Sequence, residues 1–101
     1  MPAVEIIRIV KMQFKPEYLP QFLTHFGTVK QAIRTFPGCN GLSLLQDAAT
    51  TGIIFTYSNW QSAEDLEAYR QSELFRNTWV FVKTLFAAPA EAWTVNELQQ
   101  L

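Results

Sequence analysis

The sequence predicts an α+β fold: a four-stranded antiparallel sheet in the order β-α-β-β-α-β, with helices packed on one of its faces. Three observations carry this expectation. Four apolar runs of strand type, the first rich in β-branched residues, are set among segments whose apolar residues recur every three and four positions. Ser62 and Ser72 supply helix-start signals after the third of those strand segments. The chain has 101 residues, 49% of them apolar and 14% aromatic, the size and composition of one domain, residues 1–101, with a ring-rich core.

The first strand spans residues 4–14. Val4, Ile6, Val10, Met12 and Phe14 share one parity with Arg8, and Ile7 and Ile9 take the other, so both faces are apolar. After Pro16, the positions Tyr18, Leu19, Phe22, Leu23, Phe26, Val29 and Ile33 mark one face of a helix, roughly 18 residues long. The segment FPGCNG ends it, because Pro37 and Gly38 cannot continue a helix and Gly41 adds a second flexible point; Cys39 reads as a small residue of that turn. The polar loop DAATTG then separates residues 42–46 from residues 53–60 as a hairpin. Ser62 and Asp65 form a variant capping box for a helix through Leu66 to Gln71. Ser72 opens a new apolar stripe, Leu74, Phe75, Thr78, Trp79, Val82, Leu85 and Phe86, which AAPA closes. A short strand through Trp93 and Val95 and a polar tail complete the chain. With its second helix broken in two, this is the ferredoxin-like arrangement.

Charge and composition narrow the function classes. Eight Lys and Arg against nine Asp and Glu give a net charge of −1, without the basic stripe that nucleic acid or an anionic membrane would require. Glu5, Arg8 and Lys11 interrupt the first apolar segment, and no stretch approaches the length of a membrane span. A cytoplasmic protein is expected, with small molecules or proteins as partners. One cysteine and one histidine leave no pair with metal-ligand spacing, so no metal is expected. Helices cover only one face of such a sheet, yet Ile7, Ile9 and Leu45 and both parities of IIFTYSNW make the other face apolar as well. A homodimer packing sheet against sheet would cover it.

Two segments bear a family resemblance. FPGCNGLSLLQD is similar to the PGC-x-G motif and alternating strand of antibiotic biosynthesis monooxygenase domains, and NWQSAEDLEAYRQSELFR resembles their W-x-S-x-x-x-L-x-x-H signature. The resemblance covers nearly the whole chain in order and length. It implies a dimeric α+β barrel, with a separate apolar pocket in each subunit between the helices and their own sheet. Characterised members of that family include cofactor-free oxygenases of reduced aromatic polyketides, quinol oxygenases and haem-degrading enzymes, and others have no known activity. From this resemblance follows the expectation that no cofactor is bound. Trp60 matches the pocket tryptophan of the polyketide oxygenases, and Arg76 falls near an arginine they use. Their Asn four residues before that tryptophan and Tyr six after it are replaced here by Thr56 and Leu66. The haem-degrading branch holds iron through a histidine aligned with Trp79, and tryptophan does not ligate haem iron.

The candidate catalytic residues are therefore Trp60, Tyr69, His25 and Arg76, with Arg8, Thr56, Trp79 and Phe22 as candidate substrate-binding residues. Trp60 would anchor the strand end or donate its indole N–H to a bound aromatic. His25 is the one side chain whose ordinary pKa suits a base near neutrality, unless it is a structural imidazole of the helix margin. Tyr69 and Arg76 are helix-surface or rim groups unless they stand at the pocket mouth, where a phenol and a guanidinium would hold an enolate or phenolate oxygen. Arg8, inside an apolar row, needs a carboxylate or an anionic ligand. The expected function is cofactor-independent oxygenation of a quinol- or anthrone-type aromatic; the alternative is a non-catalytic binding or dimerisation module of the same fold.

Overall fold

A computed structural model describes residues 5–101. Its elements are β1 (Ile6–Phe14), α1 (Leu19–Arg34), β2 (Cys39–Gln46), β3 (Ile53–Trp60), α2 (Ala63–Arg70), α3 (Glu73–Val82) and β4 (Phe86–Val95), with short 3₁₀ turns at Pro16–Tyr18 and Lys83–Leu85. Val4, placed in the first strand by its sequence, lies outside the described residues. All strand pairs are antiparallel and the sheet order is β2-β3-β1-β4. The α+β, ferredoxin-like prediction therefore holds.

The two serine signals act as their chemistry requires. Ser62 Oγ accepts from the Asp65 N–H at 3.1 Å and Ser72 Oγ accepts from the Phe75 N–H at 3.1 Å, each satisfying one orphan donor of a helix N-terminus. The break between α2 and α3 is thus written in the sequence as two separate caps. Asp65 does not reach back to a backbone N–H as in a full capping box; its Oδ2 accepts from the Ser62 hydroxyl at 3.0 Å.

Two boundaries depart from expectation. Cys39 is not a turn residue but the buried first residue of β2, opposite Trp60, and a bulge at Asn40 lets both Cys39 and Leu42 face the helices. The last strand begins at Phe86 rather than near Trp93, so AAPA belongs to β4 and does not close a helix. Pro89 is tolerated because β4 is an edge strand, and the register against β1 shifts on both sides of Gln13, which accommodates the extra residues.

Gly38 has φ 87°, the left-handed region that favours glycine, and a Cβ there would collide with the Asp65 side chain. Gly38→Ala is expected to destabilise the fold by about 2–3 kcal/mol, through backbone strain and displacement of the α2 cap. A urea midpoint unchanged from the parent would contradict this account.

Alternation sorts the sheet into two faces. Inward, toward the helices, point Arg8, Val10 and Met12 of β1 and Thr56, Ser58 and Trp60 of β3. Outward point the odd-numbered positions, where Ile9 lies between Tyr57 and Trp93, Ile7 beside Val95, and Leu45 beside Phe55. Leu45, Trp93 and Val95 are exposed.

The core under the helices is in two parts. One holds Met12, Phe14, Phe22, Ile54, Val82 and Leu85. The other holds Cys39, Trp60 and Leu66, with Phe36 and Tyr69 packed against it. The inward row of β3 explains the division: Ile54 and Trp60 fill its ends, while Thr56 and Ser58 between them are too small to reach the helices.

Candidate functional site: a ring-walled cavity between helices and sheet

Between the two core clusters lies a cavity of about 290 Å³, close to the lower end of the range for small-molecule sites. Met12, Phe22 and Val82 reach it from one cluster, and Trp60, Leu66 and Tyr69 from the other. Thr56, Ser58, Thr78, Ala90 and Ala92 line its middle, the small side chains that leave the space open.

Its wall is a continuous run of aromatic contacts. Trp60 stacks on Tyr69 with centroids 5.0 Å apart, Tyr69 meets Phe75 edge-on at 5.3 Å, and Phe75 stacks parallel to Trp79 at 5.9 Å. From Trp79 the run passes behind the lining through Phe86 and Phe14 and rejoins the wall at Phe22 and Phe26. Such contacts are each worth about 0.5–1.5 kcal/mol beyond buried area and hold the rings at fixed angles, which preserves an open cavity.

The polar groups differ in how they are engaged. Trp60 is 1% exposed, and its indole N–H donates to Ser58 Oγ at 2.9 Å. That donor is engaged inside the protein, and the ring forms both cavity wall and core. Tyr69, held over Trp60 and under Phe36 by α2, has no hydrogen-bond partner for its hydroxyl among the described residues. Burial, and then the nearby Cys39, push its pKa up to about 12, so at neutral pH it is a protonated phenol with a free O–H.

At the rim, two guanidiniums line the cavity, Arg8 from β1 and Arg70 from the end of α2. Arg70 Nη1 lies 3.3 Å from Glu67 Oε2, and Glu67 also accepts from Gln71 Nε2 at 2.8 Å. Arg8 donates to the neutral Thr94 Oγ1 at 2.8 Å. Burial, followed by the charge of Arg70, lowers the Arg8 pKa, and Glu67 partly opposes this.

Six of the eight residues singled out from the sequence line the cavity: Trp60, Tyr69, Arg8, Thr56, Trp79 and Phe22. His25 and Arg76 do not. His25 packs against Phe81 between α1 and α3, with centroids 4.6 Å apart and Nε2 buried without a hydrogen bond. Arg76 is exposed, and its Nη1 donates to the carbonyl of Gln71 at 2.9 Å. Both placements have the same cause: each residue falls on the flank of its helix, outside the strip that lines the cavity.

Sequence reasoning missed Ser58, Arg70 and Thr78. Ser58 carried a legible signal, a small polar residue at an inward strand position between larger ones. Among the described residues no group of three or more His, Cys, Asp or Glu side chains could hold a metal ion, and no helix is long and apolar enough to cross a membrane.

Comparison with known proteins places this geometry. The chain resembles a conserved protein of Methanosarcina mazei Go1, at 17% identity over 95% of each chain with a TM-score of 0.89. It is similar to Rv0793 of Mycobacterium tuberculosis, at 18% identity over 95% of this chain and 97% of that one, TM-score 0.86. A candidate antibiotic biosynthesis monooxygenase of Nitrosomonas europaea matches at 19% identity over 97% and 94%, TM-score 0.85. At these identities the likeness establishes the fold. No curated protein matches the sequence. The sequence model of one family, described as antibiotic biosynthesis monooxygenase, matches residues 5–79, which contain all of the strands and helices except the last part of α3 and β4. By that match the chain belongs to the antibiotic biosynthesis monooxygenase family.

Proposed function

We propose that the protein is a monooxygenase acting, without metal or flavin, on a reduced aromatic molecule of quinol or anthrone type held in the cavity between helices and sheet. The observation that carries this reading is the ring-walled cavity with the unpartnered Tyr69 hydroxyl beside it. Such a reaction asks little of a protein: an apolar space that positions an electron-rich ring, access for O₂, and donors that stabilise the substrate anion.

For an anthrone-type carbon the balance is R₂CH₂ + O₂ → R₂C=O + H₂O. Loss of a proton gives an anion whose charge rests largely on the ring oxygen. The anion passes one electron to O₂, and the resulting radical and superoxide combine to form a C–O bond. After protonation of the peroxide, the remaining C–H proton leaves, the O–O bond breaks and water departs. Tyr69, with its pKa near 12, donates a hydrogen bond to the oxyanion and does not act as a base at neutral pH. Among the described residues no carboxylate or imidazole lines the cavity, so the substrate proton leaves to solvent and the rate should follow the substrate's own ionisation.

Oxygen uptake by the purified protein, measured against a panel of quinols and anthrones, tests the reading. The expected result is uptake of one O₂ per substrate, with kcat/KM rising with pH as the substrate ionises. Tyr69→Phe should lower kcat/KM by about 10- to 100-fold, the usual cost of one oxyanion donor. His25→Gln, outside the cavity, should leave it within about two-fold. Uptake no faster than the uncatalysed rate, with the protein folded, would favour a binding module of the same fold. The cavity's lack of an internal base is the specific observation on that side.

The same reading makes the protein a homodimer joined through the outer faces of its sheets. Ile9, Phe55, Tyr57, Trp93 and Val95 form a contiguous apolar surface across three strands, which supports this arrangement.

A further inference from the structure

The cavity is asymmetric in charge. Its body is apolar, and its ionised lining groups are Arg8 and Arg70, both cations. One carboxylate, Glu67, stands near them, and it is already engaged by Arg70 and Gln71. Arg8 has Thr94 as its hydrogen-bond partner, a neutral hydroxyl, and it is half-buried. Among the described residues, two guanidiniums against one neighbouring carboxylate leave an excess of one positive charge at the rim, in a chain whose net charge is −1. Glu67 acts on Arg8 only at a distance, and a half-buried cation without an ion-pair contact gains when a ligand supplies the anion.

Placement fixes where that anion would sit. Arg8 pairs across the ladder with Ser58, whose hydroxyl holds the Trp60 indole, and Arg70 directly follows Tyr69. The two cations therefore stand on opposite walls, sheet and helix, at the Trp60–Tyr69 end of the ring run. A guanidinium offers several N–H donors in one plane, suited to carboxylate oxygens, and two such groups on facing walls can hold one carboxylate between them.

Resting on the reading of the cavity as an aromatic site, we propose that its ligand is an aromatic carboxylic acid, bound as the carboxylate, with Arg8 and Arg70 clamping the anion at the rim and the rings filling the cavity. The carboxylate is then a fixed anchor, separate from the ring carbon that would react with O₂. It also gives specificity, because a neutral ring of the same shape leaves the cations unpaired.

Calorimetric titration with 2-naphthoate and its neutral counterpart 2-naphthamide tests this. The expected result is at least about ten-fold tighter binding of the carboxylate, weakening as salt is raised. Arg8→Gln and Arg70→Gln should each reduce the preference, and the double variant should lose it while still binding 2-naphthamide as the parent does. That retained binding also reports a folded cavity. Equal affinity for the two compounds in the parent, or an undiminished preference in the double variant, overturns the clamp and leaves the aromatic cavity standing. Binding of neither compound removes the aromatic-site reading and the clamp with it.

Discussion

Trp60→Ala is expected to cost about 3–5 kcal/mol of folding stability, the range for truncating a fully buried large aromatic. For a domain of this size each kcal/mol corresponds to roughly 4–8 °C, so Tm should fall by about 15–30 °C. The reason lies in what the ring touches. It is 1% exposed, stacks on Tyr69 at 5.0 Å, meets Phe36 at 6.4 Å, and packs with Cys39 and Leu66 to form one of the two core clusters. Its loss would join the cluster's space to a cavity that is already open beside it, where collapse is hardest.

Trp60→Phe separates packing from hydrogen bonding. The ring survives, but Ser58 Oγ, itself buried, loses the N–H it accepts and keeps only its long 3.5 Å contact to the Arg8 carbonyl. A cost of about 1–2 kcal/mol follows. Differential scanning calorimetry on the two variants gives both numbers. An alanine variant within about 1 kcal/mol of the parent would remove Trp60 from the core altogether.

Ile9→Glu is the second large effect, on assembly instead of folding. Ile9 sits on the central strand β1 with Tyr57 on one side and Trp93 on the other, in the middle of the outer sheet face. A carboxylate buried there against a second sheet, without a partner, costs several kcal/mol per subunit, and a two-fold axis makes that penalty count twice. In the free chain Ile9 is only half-buried, so the folded monomer tolerates the change far better than the interface does. Sedimentation should find the parent at twice the 11.6 kDa chain mass and the variant at that mass itself. A parent that sediments as a monomer at micromolar concentration contradicts the dimer and leaves the outer face without its proposed cover.

Much of this architecture was legible because it is recorded locally. The two serine caps state where α2 and α3 begin, since a capping hydroxyl has to lie within three residues of the N–H it satisfies. Period-two alternation set Arg8 on one parity with Val10 and Met12 and Trp60 on one parity with Thr56, and period 3.6 placed Phe22 and Trp79 on apolar helix faces; the fold turned those rows inward. The start of β4 was not legible, because Pro89 is a breaker in most contexts and is harmless only on an edge strand, and edge status is a property of the assembled sheet.

By itself, then, the sequence determined the order of elements, the caps, and which residues of β1 and β3 share a face. The tertiary structure alone decided that Arg70 and not Arg76 reaches the cavity, since the caps between α2 and α3 reset the helix direction and no count of residues carries a rotation angle across that break. It alone gave the Trp60 N–H to Ser58 and set His25 against Phe81. The physical reason is common to all three: periodicity records the side of an element on which a residue lies, whereas contact depends on how far each element slides and turns against its neighbours, which is settled by packing among distant parts of the chain.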